Sequence, residues 1–155
     1  MIQRIQTLYL FLTALITVLL FFFPIASFEH IDTNMELTVL GINNQIDATY
    51  FSKLYTLPLL ILTIILILLP LFISIRYKHR EQQVKLCQLD IFLTVVFIGV
   101  VFLYYVSNIQ KTISCEKVSY EFGIFILLID LIFLVMAIRG IKKDIELVKS
   151  IDRLR

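Results

Sequence analysis

Asp130 is the side chain with the most chemical potential, because of where it stands. It lies near the middle of FGIFILLIDLIFLVMAIRG, residues 122–140, a run that otherwise reads as a membrane-spanning helix. A carboxylate at the centre of a bilayer costs roughly 3 kcal/mol on insertion scales. At the same depth the other apolar runs bring Thr13, Thr17 and Thr63, all hydroxyls, and no Lys or Arg. Burial without a counter-charge favours the neutral acid, which can donate its O–H to a threonine or a backbone carbonyl. Two uses follow. One is structural, a polar side chain turned inward to hold the helix in register. The other is a proton or cation site in a small transporter.

Three further sets can be assembled by side and charge. Asp90 stands at the start of the third apolar run, where Arg139 and Arg4 also fall, so an ion pair at that boundary is expected, with snorkelling to water as its alternative. Asp144 and Asp152 lie towards the apolar stripe of the C-terminal segment. The loop RYKHREQQVK offers Arg76, Lys78, Arg80 and Lys85 on the same side, so a carboxylate–cation clasp is expected there. Cys87 and Cys115 lie at opposite ends of the third run and cannot bond, since a disulfide needs Cα atoms within about 7 Å. There is no C-x-x-C, and His30 and His79 fall on opposite sides, so no metal-ligand set is visible. With four glycines and no Gly-rich phosphate loop, and no Ser/His/Asp set on one side, the reading is a non-enzyme without cofactor or metal.

The elements that must position these side chains follow from composition. The chain of 155 residues is 59% hydrophobic and 17% charged, against about 45–50% and 25% in soluble domains. Four runs approach the ~20 residues that cross a bilayer: about 5–25, 54–75, 89–106 and 122–138. The expected fold is an all-α, four-helix, up-and-down membrane bundle forming one domain over residues 1–155. The first run is longer than the apolar core of a signal peptide, and no A-x-A site follows it, so it is read as retained. Pro58 and Pro70 fall in the outer and inner halves of the second run, and Gly99 in the third is a candidate for close helix approach. Tyr104 and Tyr105 suit the outer headgroup belt.

Orientation follows from the cations. Arg4, Arg76, Lys78, Arg80, Lys85, Arg139, Lys142, Lys143, Lys149, Arg153 and Arg155 share one side, which makes 11 of the 14 Lys and Arg residues. Lys53, Lys111 and Lys117 occupy the other. The positive-inside rule then puts both termini, the loop 76–88 and the tail 139–155 in the cytoplasm. The net charge of +2 gives no field that would suggest nucleic acid. In the outer loop 26–52, Leu37 and Val39, then Ile46, Ala48 and Tyr50, alternate with polar residues around GINN, which predicts a short β-hairpin. In the tail, Ile141, Ile145, Val148 and Ile151 recur at helical spacing opposite Lys142, Glu146, Lys149 and Arg153. This is an amphipathic helix suited to the interface and to anionic headgroups.

Three segments, MIQRIQTLYLFLTALITVLLFFFPIA, RYKHREQQVKLCQLDI and IKKDIELVKSIDRLR, together resemble the Bacteroidetes family of four-span membrane proteins called domain of unknown function 4293. The closing KKDxxLVKSxDRLR pattern is the most specific part, and the resemblance covers the whole chain. It implies an integral inner-membrane protein of a Gram-negative cell and carries over no catalytic or binding residue. The family pattern more often has Asn where Asp90 stands, which lowers the expectation of a specific role there. The function expected is a non-catalytic accessory or scaffold protein, binding lipid and a membrane or cytoplasmic protein, or a second copy. The alternative is a small proton-linked transporter or channel-like oligomer built on Asp130.

Overall fold

The computed structural model describes residues 2–30, 33–44, 53–76, 80–113 and 117–152; within these, the side chains of 2–4, 29, 30, 33, 34, 44, 53, 54, 113, 149, 151 and 152 are not described. The chain is mostly helical, with a small antiparallel sheet. Helix α1 covers Ile2–Val18 and ends in a 3-10 turn, Leu19–Phe21. A 3-10 turn at Lys53–Thr56 leads into α2, Leu57–Ile75. Helix α3, Arg80–Val100, passes through a π-helical stretch, Val101–Val106, into α4, Ser107–Ile113. Helix α5 runs unbroken from Phe122 to Asp152.

Among the described residues three helical stretches are long and apolar enough to cross a membrane: Leu57–Ile75, Arg80–Thr112 and Phe122–Val148. The apolar part of α1 with its 3-10 turn, Ile5–Phe21, is shorter. Ile61, Leu68, Phe92, Leu103, Phe125 and Ile132 are all exposed, with Leu103 at 81%. A continuous apolar exterior of this kind suits lipid rather than water.

Helix α1 packs on α2 and α5, and α3 packs on α2 and α5, so the four long helices form a ring around one seam. Each helix buries residues at intervals of three and four. On α1 and its 3-10 turn these are Gln6, Leu10, Thr13, Thr17 and Leu20; on α3 and the start of its π-helical stretch, Gln83, Cys87, Asp90, Thr94, Phe97 and Val101. That spacing is the seam of near-parallel helix packing. Helix α1 runs antiparallel to α5, since Gln6 meets Gly140 and Thr17 meets Asp130.

The sequence places Pro58 inside the second span. In the structure it falls in the first turn of α2, where its missing N–H costs nothing. Pro70 does lie inside the helix. The last turn of α2 is closed by Gln83, whose Nε2 donates to the Ile73 carbonyl at 2.8 Å. Helix α3 begins at Arg80, so most of the stretch 76–88, read as loop from its charges, is helix. Gln83 and Cys87 face the seam there while Glu81, Gln82, Lys85 and Gln88 face outward. Gly99 is not a point of close approach, for a Cβ there would meet nothing within 4 Å. Tyr105, expected at the headgroups, is buried: its hydroxyl donates to the Tyr55 carbonyl at 2.9 Å, and the two rings meet edge to face at 5.1 Å.

The sheet corrects the expected hairpin. Its strands are β1 Ala26–His30, β2 Thr33–Leu37, β3 Ile42–Asn44 and β4 Lys117–Tyr120, in the order β3-β2-β1-β4. The turn before β3 is Thr38–Gly41, three residues earlier than GINN, with Thr38 N donating to the Gly41 carbonyl at 2.9 Å. Val39 points into the core at that turn, and Asn43 and Asn44 belong to β3. The proposed second arm, Ile46, Ala48 and Tyr50, lies outside the described residues. Ala26, Phe28, Met35 and Leu37 alternate onto one face and pack with Leu20, Leu59 and Ile109 at one end of the helices.

Candidate functional site

The buried core is divided. One apolar cluster at the sheet end includes Leu20, Leu59, Leu66, Phe97 and Leu127. The other, towards the Asp144 end, includes Leu10, Ile73, Cys87, Leu134, Ala137 and Ile141. Between them three helices place polar residues in the seam: Thr13 and Thr17 on α1, Asp90 and Thr94 on α3, Asp130 on α5. On α2 the same interval, between Leu66 and Ile73, holds the buried Pro70. Pro70 has no N–H, so the Leu66 carbonyl lacks its helical donor.

Asp130 is 2% exposed, and its Oδ1 lies 3.2 Å from Thr17 Oγ1. Thr17 Oγ1 is also 2.9 Å from the Thr13 carbonyl. A hydroxyl carries one proton, so it serves one of these oxygens at a time. Thr17 is the donor in both geometries, to Asp130 Oδ1 or to the Thr13 carbonyl. The other threonines are likewise committed: Thr13 to the Tyr9 carbonyl at 3.0 Å, Thr63 to that of Leu59 at 2.9 Å, Thr94 to that of Asp90 at 2.9 Å. Of the three threonines expected around Asp130, the structure brings Thr17 into contact. Thr13 is linked to it through Thr17, and Thr63 is buried on α2 one turn nearer the sheet than Leu66.

Asp90 is the residue that sequence reasoning misplaced. It is 1% exposed, and neither carboxyl oxygen has a hydrogen-bond partner. Arg139 is exposed and makes no pair with it, and the Arg4 side chain lies outside the described set. The reason is the early start of α3: Asp90 stands ten residues beyond Arg80, about 15 Å into the helix, and not at its boundary. There it is buried in the same seam as Asp130. The legible signal was phase. Asp90 is four residues before Thr94 and seven before Phe97, on the buried side.

A family model, Domain of unknown function (DUF4293), matches residues 2–154. The chain belongs to this family. Neither the curated proteins nor the solved structures contain a match.

At the other end of this DUF4293 chain lies the expected clasp. Arg80 Nη1 is 3.1 Å from Asp144 Oδ2. The approach is electrostatic, since Asp144 Oδ2 has no directed hydrogen bond and Arg80 donates instead to the Asp144 backbone carbonyl at 3.3 Å. Gln6, Thr7, Leu10, Gln83 and Ile141 complete a small cleft around the pair. The other expected members are elsewhere. Arg76 lies over the Phe72 ring at 4.9 Å and donates to Gln82 Oε1 at 3.4 Å, while Lys85 is exposed. Lys78 and the Asp152 side chain lie outside the described residues. The tail is no separate helix: α5 continues through Gly140 to Asp152. Gln6 packs against Gly140 and donates to its carbonyl at 2.9 Å. Among the described residues no group of three or more His, Cys, Asp or Glu comes together.

Proposed function

We propose that this chain is an integral protein of the bacterial inner membrane with four spans in a single domain and both termini in the cytoplasm. Its role is that of a non-catalytic accessory or scaffold protein. The observation that carries this reading is the continuity of α5. One helix of 31 residues forms the last span and then leaves the membrane, where Arg80 holds it at Asp144. Around and beyond the clasp it presents Lys142, Lys143, Glu146, Leu147 and Val148 outward. A rigid, basic, partly apolar extension suits a protein partner or a second copy, with anionic headgroups drawn to the same lysines.

The accessory role is favoured over transport by the closure of the seam, where Asp90 and Asp130 are 1% and 2% exposed. The positive-inside distribution of Lys and Arg supports the orientation. Helix α1 and its 3-10 turn, though shorter than the others, reach about 30 Å and are taken as the first span.

The test is site-directed photocrosslinking in native membranes from Leu147, with and without Lys142→Glu and Lys143→Glu. A discrete protein adduct that is lost in the charge-reversed variants is the expected result. Crosslinking to lipid alone overturns the scaffold role.

A further inference from the structure

We propose that the outer edge of β4 is an interface between two copies of this chain, which pair antiparallel through β4 about a two-fold axis at Ser119. Among the described residues β4 is an edge strand, with β1 on one side of it. Glu121 N donates to the Ile25 carbonyl at 3.1 Å. By the alternation of an antiparallel ladder, Ser119 and Lys117, opposite Ser27 and Glu29, turn their backbone groups to β1 as well. Val118 and Tyr120 therefore turn their N–H and C=O groups the other way, to the edge. Such a row is a template for a further strand.

The occupant follows from register and charge. With Val118 of each copy opposite Tyr120 of the other, every one of these edge groups is paired. A register centred on either residue sets the other against a position outside β4. In the full register Ser119 faces its own copy, and Lys117 faces Glu121. A lysine on an open edge ordinarily repels an incoming strand. Here each Lys117 meets the acid of the other copy, so the edge is complementary to itself, as an isologous interface must be. The orientation fits too. The apolar face of the sheet rests on one end of the helices, so the sheet lies across the bundle. The two-fold axis of an edge-to-edge pair is normal to the sheet and thus runs along the helices, and both copies keep one orientation in a bilayer. Tyr120, half exposed and 5.0 Å from the Phe102 ring, offers apolar surface for the second copy to cover. This edge lies at the opposite end of the molecule from the α5 extension, so the inference stands apart from the accessory role.

The experiment is oxidative crosslinking of the full chain in native membranes, with Ser119→Cys in a background of Cys87→Ala and Cys115→Ala and copper phenanthroline as oxidant. Facing residues at a non-hydrogen-bonded position have Cα atoms about 4.5 Å apart, within disulfide range. A covalent dimer at twice the mass of the chain is the expected result. Asn43→Cys, exposed on β3 away from β4, is the control and should stay monomeric. Adding Lys117→Glu, or Glu121→Lys, to Ser119→Cys should lower the dimer yield by roughly tenfold, since like charges then face each other twice. Co-expression of the two reversed chains should restore it, because the mixed pair sets acid against base on both sides. Monomer alone, an equal yield from Asn43→Cys, an adduct of another mass, or a yield indifferent to the reversals overturns the proposal. If a reversed chain does not accumulate in the membrane, the comparison of Ser119→Cys with Asn43→Cys decides.

Discussion

Gly123 donates its backbone N–H to the Pro24 carbonyl at 2.9 Å, and a β-carbon on Gly123 would lie 2.8 Å from that same oxygen. The contact fixes the start of α5 against the end of the first helical segment, satisfying one of the N–H groups that a helix N-terminus leaves unpaired. It also leaves no room for a side chain, because Ile25 Cα would be only 2.9 Å away as well. Both neighbours are backbone and cannot rotate aside. Gly123→Ala is therefore expected to destabilise by about 1–3 kcal/mol through overpacking. Gly99→Ala is the control: open space around Gly99 and its position inside α3 favour a gain of about 0.5–1 kcal/mol. Thermal unfolding in detergent separates the two, and equal midpoints would refute the close contact.

Asp130 tests the seam by substitution. Asp130→Asn keeps a donor and an acceptor beside Thr17 and is expected to leave stability nearly unchanged. Asp130→Leu removes the contact between α1 and α5 and should cost about 0.6–2 kcal/mol, the range for hydrogen bonds between helices in lipid. Unfolding in mixed micelles measures both. A Leu variant as stable as wild type would mean that the Thr17 contact contributes nothing.

Arg80→Ala should barely change global stability, by less than about 1 kcal/mol, because the pair with Asp144 is partly open to solvent, its side chains being 26% and 11% exposed. Its effect should be local. Backbone amides of residues 141–148 are expected to exchange hydrogen faster in the variant, while those of residues 126–137 keep their protection. Unchanged exchange at 141–148 would show that apolar packing of Ile141 alone holds the extension.

Orientation needs a carefully chosen probe. Cys87 is fully buried, so its silence towards an impermeant thiol reagent would say nothing about which side it faces. Gln82 is exposed on the same helix, and a Gln82→Cys probe in a background of Cys87→Ala and Cys115→Ala does report its side. With cytoplasmic termini, this probe should label only after the inner membrane is broken. Tyr120→Cys, exposed on β4, should label in cells with only the outer membrane permeabilised. The reverse pattern would invert the topology.

Much of this architecture was legible in hydropathy. The apolar runs mark the long helices because backbone groups in lipid are forced into helical pairing. What hydropathy could not give was phase within the charged segment 80–88. A stretch such as REQQVKLCQ looks like a loop until Gln83 and Cys87 are seen to fall on the seam side of a helix. That one boundary error carried Asp90 to the membrane surface and away from Asp130. The sheet was half legible for a related reason. The pairing of Ala26 with Tyr120 joins segments 94 residues apart, and no local pattern encodes a partner at that distance. The clasp was easier to read, since Asp144 interrupts an apolar stripe and only cations could accommodate it.

The same pairing has a consequence for synthesis. Strands β1 and β2 are adjacent in the chain and can pair as soon as both have emerged, but the other edge of β1 waits for β4. At about 5–20 residues per second, the 94 residues between Ala26 and Tyr120 take roughly 5–20 s to make. For that interval a nascent chain carries an open strand edge, the geometry that recruits foreign strands. Glu29 lies on that edge, opposite Lys117, and stays in place while α2, α3 and α4 are synthesised.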